Sequence, residues 1–389
     1  MAIVPRVVSR PRRRRSGSTE RSTRVHKTTI RLADGRELSY YDAKAGQDRD
    51  AIDRRDLPPA NTASQLRYEP FLDTWVIYAS HRQDRSYLPS AQDCPLCPSA
   101  EGHLTEIPAP DYEVVVFENR FPALSAAPAG AAGGQPAASG PGDLLPQRPA
   151  AGRCEVVCFT SDHDASFADL SRERVELVLE ALIDRTAELS ALPGVEQVFC
   201  FENRGRGISV TQPHPHGQIY AYPFVTPRTD RALASARAYS RRTLRNLYDD
   251  VLAAERADGS RLVLDTKRWT AFVPHAARWP YEIHLYPRRR VPDLASLDPA
   301  ELSELADVEL DIFGRFARLF AEPAPYIAGW HQAPVRDGRD LFALHLELFT
   351  PRRTTDKLKY LAGSESAMDA FASDVIPEAA AARLREVAR

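Results

Sequence analysis

The stretch EVVCFTSDHDASFADLSRERVELVLEAL, residues 155–182, joins a short apolar strand to a long amphipathic helix. Its first five residues form the kind of apolar run that fills a buried strand. After a polar loop, Ser171 stands at the start of a helical pattern, where its hydroxyl can accept a backbone hydrogen bond. Apolar residues then recur at steps of three and four, which places them on one helix face: Val175, Val178, Leu179 and Leu182.

The same order of elements recurs 127 positions later, starting with EIHLY at residues 282–286. Asp298 followed by Pro299 is a strong helix start, with a capping carboxylate before a first-turn proline. The helix that follows has the same apolar periodicity: Leu302, Leu305, Val308 and Ile312. Further strand-like runs follow each helix, at residues 198–201, 218–221, 326–329 and 345–349. The sequence therefore predicts a duplicated α+β unit, with short strands and one long helix in each half, divided near residue 228.

The segments outside the two copies are shorter or less regular. Residues 27–42 predict a β-hairpin that turns at Asp34-Gly35, and the Pro-rich residues 55–65 predict a linker. Residues 125–152 consist almost entirely of Ala, Gly, Pro, Ser and Gln and are predicted to form a mobile surface loop. The predicted organisation is a tail, hairpin and linker over residues 1–60, a first domain over 61–228 and a second over 229–389.

The composition excludes several classes of protein. The 389 residues include 51 Lys plus Arg and 53 Asp plus Glu, and 43% are apolar. These values are close to the globular average and exclude a wholly disordered chain. No run of about 18 apolar residues occurs, so no transmembrane helix is predicted. Five cysteines are an odd number in a long chain and argue against a disulfide framework, so we expect a reduced, soluble, cytoplasmic protein.

The first 25 residues are strongly basic, with RPRRRRS at residues 10–16. Such a run could attract nucleic acid or an anionic surface through its electric field. It contains no aromatic residue on which a base could stack. A solvated tail is the favoured interpretation, because a run of like charges costs nothing to leave in water.

The string QPHPHGQIY, residues 212–220, carries the strongest chemical signal. On an extended strand His214, His216 and Gln218 point to the same face, and three polar groups in a row make poor core material. Just upstream, FENRGRG at residues 201–207 is rich in Gly and Arg, which suits a close approach of the backbone to a phosphate. The pattern therefore predicts a phosphate-handling site rather than a set of core histidines.

Eight short motifs together resemble the galactose-1-phosphate uridylyltransferase family, the transferase branch of the histidine-triad superfamily. They span most of residues 65–389 in the family's order: ASHRQDR, CPLC, VFENRF, FTSDH, FENRG, HPHGQ, GWHQAP and KYLAGSE. The resemblance implies two histidine-triad-like domains, each an antiparallel half-barrel sheet with a long flanking helix. It also implies a homodimer with residues from both subunits in the active site.

The resemblance implies a ping-pong reaction of galactose metabolism, in which UDP-glucose gives UMP to a histidine and releases glucose 1-phosphate. Galactose 1-phosphate then takes the UMP to give UDP-galactose. By its place in the motif, His216 is the nucleophile, and its second ring nitrogen needs a fixed acceptor such as a backbone carbonyl held by Pro215. Gln218 stands where the hydrolase branch has a third histidine; an amide can hydrogen-bond phosphoryl oxygens but cannot carry a proton to or from water. This residue favours transfer over hydrolysis.

The resemblance also implies one zinc ion per chain. Cys94 and Cys97 alone form a weak signal, compatible with core thiols, although no thioredoxin-like pattern surrounds them. The family adds His163 and His214, which completes a Cys₂His₂ set typical of structural zinc. The other three cysteines are predicted to lie in the core: Cys154, Cys158 and Cys200.

Further residues match substrate-binding positions of the family: Arg82, Arg85, Asn119, Asn203, Thr211, Lys359 and Glu365. Several members also hold a second metal with one Glu and three His in the C-terminal domain. Two of those positions are His331 and His345 here, but the third His is Glu347 and the Glu falls on Ala232, which makes a second divalent ion doubtful. Ser364 replaces an aromatic residue, which leaves the choice of hexose open.

Two alternatives remain at this level. A nucleoside-tetraphosphate phosphorylase or an adenylyl-sulfate phosphate adenylyltransferase would share the histidine motif, but CPLC with FTSDH and KYLAGSE argue against both. A nucleic-acid-binding module built on the basic tail and a zinc scaffold would leave His216 and Gln218 without a role.

Overall fold

The computed structural model describes residues 25–59, 64–84, 89–125, 144–208, 210, 212–359 and 361–388. The predictions for the basic tail and for most of the 125–152 loop concern residues outside these ranges. Two of the predicted substrate-binding residues, Arg85 and Thr211, also lie outside the described residues.

The described chain alternates short strands with a few helices. The strands are β1 His26–Arg31, β2 Glu37–Asp42, β3 Gln65–Glu69, β4 Thr74–Tyr78, β5 Val114–Glu118, β6 Gln147–Pro149, β7 Arg153–Cys158, β8 Gln197–Arg204, β9 His216–Tyr222, β10 Leu262–Asp265, β11 Trp269–Phe272, β12 Ile283–Pro287, β13 Tyr326–His331, β14 His345–Phe349, β15 Arg352–Thr354 and β16 Lys357–Leu358. The helices are α1 Arg172–Ser190, α2 Pro227–Thr243, α3 Leu247–Asp258, α4 Pro299–Arg318, α5 Gly363–Met368 and α6 Pro377–Glu386.

Eleven of these strands form one open antiparallel sheet in the order β1-β2-β5-β7-β9-β8-β13-β14-β12-β11-β10. The predicted hairpin is confirmed as β1 and β2 at one edge, with His26 opposite Asp42 and Arg31 opposite Glu37. Within the sheet, the strands of the first half end with β8 and those of the second half begin with β13, and these two strands pair with each other. The two halves therefore share a single continuous sheet.

The two long helices begin where their capping residues predict. The Ser171 side chain accepts from the Arg174 backbone N–H at the start of α1. At the start of α4, Asp298 accepts from the backbone N–H groups of Ala300 and Glu301, and the Glu301 carboxylate accepts from the Asp298 N–H, which completes a capping box. These results confirm the α+β class and the repeated strand–loop–helix unit.

One hydrophobic core lies between the two long helices and the sheet. The periodic residues of both helices are buried there, among them Val175, Leu305 and Ile312. Each fully buried side chain of this size contributes roughly 1.5–3 kcal/mol. The shared core and the continuous sheet hold β9, the strand that carries His216 and Gln218, within one packed layer.

On the opposite face of the sheet, residues 94–112 pack against β5 and β7, and further elements pack beside them. Over the first half lies a three-stranded sheet, β4-β3-β6, whose Leu66 packs against Tyr220 of β9. Over the second half lie α2 and α3, whose Tyr248 packs against Tyr286 and Phe342. No helix in the described ranges is long and apolar enough to cross a membrane. The division into 61–228 and 229–389 stays a prediction; residue 228 lies at the start of α2.

Candidate active site

His216 begins β9, which is paired on both sides by β7 and β8. Its Nδ1 lies 2.8 Å from the carbonyl oxygen of His214, so Nδ1 donates and Nε2 keeps a lone pair. This is the backbone acceptor expected from the sequence, in the peptide that joins His214 to Pro215. Burial and the nearby Arg204 guanidinium lower the pKa of His216, which keeps the ring neutral at physiological pH.

Gly217 explains why a glycine follows this histidine. A Cβ atom added there would lie 3.0 Å from the Phe201 carbonyl oxygen, 3.0 Å from Phe159 Cζ and 3.2 Å from Val157 Cγ1. The carbonyl belongs to the neighbouring strand and cannot move away without disturbing the ladder. Glycine therefore allows β8 and β9 to pack closely beneath His216.

A cavity of about 490 Å³ opens beside His216, a volume that suits a small-molecule ligand. The N-terminal half of the chain forms one wall through the end of β8 and the Gly-rich loop, including Asn203, Arg204 and Gly205. The C-terminal half forms the opposite wall through Arg352, Leu358 and the segment Glu322 to Pro325. Gly205 has φ +95° and packs so closely on Pro325 that a Cβ would approach it to 2.8 Å. Both halves of the chain therefore build the cavity, and two of its lining residues are arginines.

The four predicted zinc ligands come together in one cluster. Ligand atoms of Cys94, Cys97, His163 and His214 all lie within 4.8 Å of one another. Cys97 Sγ lies 3.5 Å from His163 Nδ1 and 3.6 Å from His214 Nδ1. A tetrahedral ion with S ligands at about 2.3 Å and N ligands at about 2.0 Å separates S from N by about 3.5 Å. The donor set and its spacing therefore fit zinc.

Tyr112 supports this cluster and was not identified from the sequence. Its hydroxyl lies 2.8 Å from His214 Nε2, 2.9 Å from the Leu96 carbonyl and 2.8 Å from the Thr160 carbonyl. His214 Nε2 also lies 2.8 Å from the Thr160 carbonyl, which fixes Nε2 as the protonated nitrogen and turns Nδ1 toward Cys97. No motif surrounds Tyr112, so only the folded chain reveals its position.

The other predicted substrate-binding residues do not all line the cavity. Asn203 lines it together with His216. Arg82 donates from Nη1 to the hydroxyl of Tyr220, a residue of β9, at 3.2 Å. Asn119 accepts from the Phe121 backbone N–H at 2.9 Å in a local turn.

The other predicted site residues within the described ranges are Gln218, Lys359 and Glu365. Gln218 lies two positions after His216, so both side chains leave the same face of β9. Lys359 Nζ and Glu365 Oε1 form a buried ion pair at 3.0 Å. Leu358, the neighbour of Lys359, reaches the cavity wall. The assignment of Lys359 and Glu365 to the sugar hydroxyls stays a prediction.

Two buried carboxyl groups lie beneath β9, the strand that begins with His216. Glu202 of β8 and Glu309 of α4 line a small inner cavity of about 40 Å³ together with Gln218. Burial raises the pKa of Glu202 to about 7 and that of Glu309 to about 8, although side chains of Tyr326 and Trp330 hydrogen-bond to them. At neutral pH the Glu309 carboxyl is therefore mainly protonated.

A second polar cluster lies in the C-terminal half, around Glu347 of β14. His331 and His345 are brought to it as the sequence suggested, with Nε2 atoms 3.4 Å from the carboxylate. Glu282 and His284 were missed; His284 stands opposite Glu347 in the β12–β14 ladder. The alternation in EIHLY, which places Glu282 and His284 on one strand face, was the available signal.

Comparison with known proteins bears on both halves of the chain. The family model for the N-terminal domain of galactose-1-phosphate uridyl transferase matches residues 51–226, and the model for its C-terminal domain matches residues 232–389. The galactose-1-phosphate uridylyltransferase of Streptomyces lividans is 51% identical over 376 residues, which cover 94% of this chain and 98% of that protein. The Thermotoga maritima protein of the same name is 36% identical and covers 83% of this chain and 98% of its own length.

Solved structures agree with this match. The structure of a uridylyltransferase superposes with a TM-score of 0.71 at 29% identity and covers 83% of this chain and 98% of that chain. An ADP-glucose phosphorylase from Arabidopsis thaliana superposes with a TM-score of 0.63 at 20% identity, over 83% of this chain and 98% of its own. The second similarity extends to the fold alone.

Proposed function

Because this chain belongs to the galactose-1-phosphate uridylyltransferase family and is a transferase, we propose that it moves UMP from UDP-glucose to galactose 1-phosphate. The products are UDP-galactose and glucose 1-phosphate. The observation that carries the proposal is His216, whose Nδ1 is held by the His214 carbonyl at 2.8 Å while the ring lines a cavity of about 490 Å³. A neutral imidazole with one anchored nitrogen is the form that a phosphorus nucleophile requires.

In the first step, Nε2 of His216 attacks the α-phosphorus of UDP-glucose. The bond from that phosphorus to the bridging oxygen breaks, and glucose 1-phosphate leaves with the electron pair. His216 keeps its Nδ1 proton, and the His214 carbonyl stabilises the positive charge that the ring gains. Arg204 and Arg352 in the cavity wall supply positive charge toward the phosphates.

In the second step, a phosphate oxygen of galactose 1-phosphate attacks the same phosphorus. The phosphorus–nitrogen bond breaks, its electron pair returns to Nε2 of His216, and UDP-galactose leaves. Gln218 orients the uridylyl group but cannot take a proton from water, so the intermediate persists until the sugar phosphate arrives. The proton count is unchanged over the cycle.

A zinc ion held by Cys94, Cys97, His163 and His214 belongs to the proposal. When bound, such an ion supplies structural cross-linking rather than chemistry at the phosphorus. It would tie the CPLC segment to His214, whose carbonyl positions the nucleophile. We expect about one zinc per chain by metal analysis, and Cys97→Ala should lose both the metal and thermal stability. Active, freshly purified protein without zinc would contradict this part of the proposal.

We also propose a cytoplasmic homodimer. Large apolar side chains are exposed on and beside the three-stranded sheet: Phe71, Leu72, Val76, Tyr78, Leu144 and Leu145. Phe71 is 95% exposed, and an apolar patch of this kind favours a protein partner over water. Light scattering should give twice the chain mass, and Phe71→Ser should shift the protein toward monomer. A wild-type monomer would contradict the dimer without affecting the proposed reaction.

The reaction is tested by incubating the protein with UDP-[¹⁴C]glucose and galactose 1-phosphate. Labelled glucose 1-phosphate should appear, and mass spectrometry without the second substrate should find a UMP adduct on His216. His216→Asn should abolish both results, whereas His275→Asn, a change of the same chemistry at an exposed position, should affect neither. An adduct on His214 would overturn the assignment of the nucleophile.

The alternative of a nucleoside-tetraphosphate phosphorylase or adenylyl-sulfate phosphate adenylyltransferase is less well supported. Both family models and the relatives from Streptomyces lividans and Thermotoga maritima carry the name of the uridylyltransferase. Either activity would appear as phosphate-dependent release of a nucleoside diphosphate when the protein is incubated with inorganic phosphate and a dinucleoside tetraphosphate or adenylyl sulfate.

A further inference from the structure

The C-terminal half repeats the arrangement of the nucleophile with one decisive change. His345 begins β14 as His216 begins β9, and its Nδ1 lies 2.8 Å from the carbonyl oxygen of Ala343, two residues earlier. Two positions further along the strand, Gln218 is replaced by Glu347. The second half therefore presents an anchored imidazole beside a carboxylate, which suits a cation and not a phosphate.

Glu347 is 4% exposed and lies among three imidazoles. Its oxygens are 3.4 Å from Nε2 of His331, 3.4 Å from Nε2 of His345 and 3.6 Å from Nε2 of His284. Imidazole nitrogens and a carboxylate at such spacing are the donors that transition metals prefer. The types of donor would thus fit the second metal that the family resemblance implies.

The place of that metal is taken by the chain itself. Nη2 of Arg228 lies 2.7 Å from each of the two Glu347 oxygens, so the guanidinium already pairs with both oxygens that an ion would use. An ion bound to both oxygens would have to displace this guanidinium from them. The guanidinium and the ion cannot both occupy this position.

Glu282 and His284 of the cluster also have partners within the chain. His284 Nε2 lies 2.8 Å from Glu282 Oε1, and the second Glu282 oxygen accepts from the backbone N–H groups of Arg278 and Trp279. The cluster therefore fits a metal by the type of its donors, but its two carboxylates and His284 already have partners within the chain.

The position of Arg228 in α2 supports this interpretation. It is the second residue of the helix, where the helix dipole favours acidic over basic side chains, so the ion pair with Glu347 must outweigh an unfavourable placement. Ala232 lies one turn further on and lines the same cavity of about 200 Å³ as Arg228, His345 and Glu347. The resemblance places a metal-binding glutamate at position 232, so this chain lacks a ligand and holds a guanidinium on the same face of one helix.

We propose that the guanidinium of Arg228 takes the place of a second metal ion, so that the C-terminal half holds a latent divalent-cation site closed by an arginine. The ion pair fastens the start of α2, which directly follows the nucleophile strand, to β14 of the second half. The connection between the two halves then needs no metal of its own.

The test counts metal instead of activity, so it stands apart from the proposed reaction. Protein loaded with Co²⁺ and desalted is analysed for metal per chain and by visible absorption. We expect Arg228→Ala to bind one equivalent more than wild type, and the additional Glu347→Gln change to abolish that gain. Arg231→Ala removes an exposed arginine of the same helix and should leave the count at the wild-type value.

Two results would overturn the proposal. The first is a wild-type protein that binds an equivalent lost on Glu347→Gln, because the site would then be open; this measurement does not depend on the folding of any arginine variant. The second is Arg228→Ala that has a native circular dichroism spectrum and the wild-type metal count. Stabilisation of Arg228→Ala by Co²⁺ beyond that of wild type is the supporting result in thermal unfolding.

Discussion

Replacing Glu309 by glutamine should abolish a loss of stability that wild type suffers at alkaline pH. Glu309 lies in α4 with its side chain beneath the sheet, and its Oε2 has no hydrogen-bond partner among the described residues. Burial, with a further contribution from neighbouring Glu202, raises its pKa from 4.5 to about 8. Glutamine has nearly the same shape and is neutral at every pH, and it can still accept the hydrogen bond from Trp330.

The sign and size of the effect follow from the two pKa values. A carboxyl with a higher pKa in the folded protein binds its proton more tightly when folded, so it stabilises the fold at low pH. That stabilisation declines as the pH rises above 4.5 and is lost once the pH passes about 8. At about 1.4 kcal/mol for each pKa unit, wild type should lose about 4 kcal/mol between pH 5 and pH 9 through this group.

The assay is urea unfolding of wild type and Glu309→Gln at pH 5, 7 and 9. The two proteins should have similar free energies of unfolding at pH 5, and the variant should be more stable by about 4 kcal/mol at pH 9. Glu101→Gln, a change of the same chemistry at an exposed position, should follow wild type throughout. If the difference between wild type and Glu309→Gln does not change with pH, the Glu309 carboxyl is not held protonated by burial.

Three further predictions concern the site. Gly217→Ala should lower the free energy of unfolding by about 1–3 kcal/mol and reduce kcat, because its Cβ meets the carbonyl of β8; Gly314→Ala meets only a flexible arginine and is the control. Tyr112→Phe should weaken metal binding roughly 10–100-fold, measured by competition with a chelator, by removing the hydroxyl beside His214; unchanged affinity would contradict this role. Gln218→His should raise release of free UMP relative to sugar exchange in single turnovers; equal exchange with no faster hydrolysis would show that Gln218 does not suppress hydrolysis.

Local signals predicted the repeated unit well. Apolar periodicity and the capping residues Ser171 and Asp298 located the two long helices, because helix starts depend on side chains within one turn. The hairpin of residues 27–42 was found from its turn for the same reason. The zinc cluster needed the family resemblance, since His163 and His214 are separated from Cys94 by long stretches of chain.

The contacts that the sequence did not reveal join distant segments. The pairing of β8 with β13 connects residues more than a hundred positions apart, and no local pattern encodes which edges meet. Arg228 was not singled out because its partner, Glu347 of β14, is far away in the sequence. Only the folded chain brings the two side chains together. Likewise, Glu282 and His284 fit the alternation of an ordinary strand, and only the β12–β14 register brings them to Glu347.

The ladder between β8 and β13 also has a mechanical consequence. Five residue pairs hold these strands together, from Cys200 opposite Trp330 to Arg204 opposite Tyr326. Two halves that share a sheet cannot swing apart on a hinge without breaking this row of backbone hydrogen bonds. The cavity beside His216 straddles the end of the same ladder, between Arg204 and Pro325. The distance between His216 and the opposite wall of the cavity is therefore set by this ladder when the chain folds.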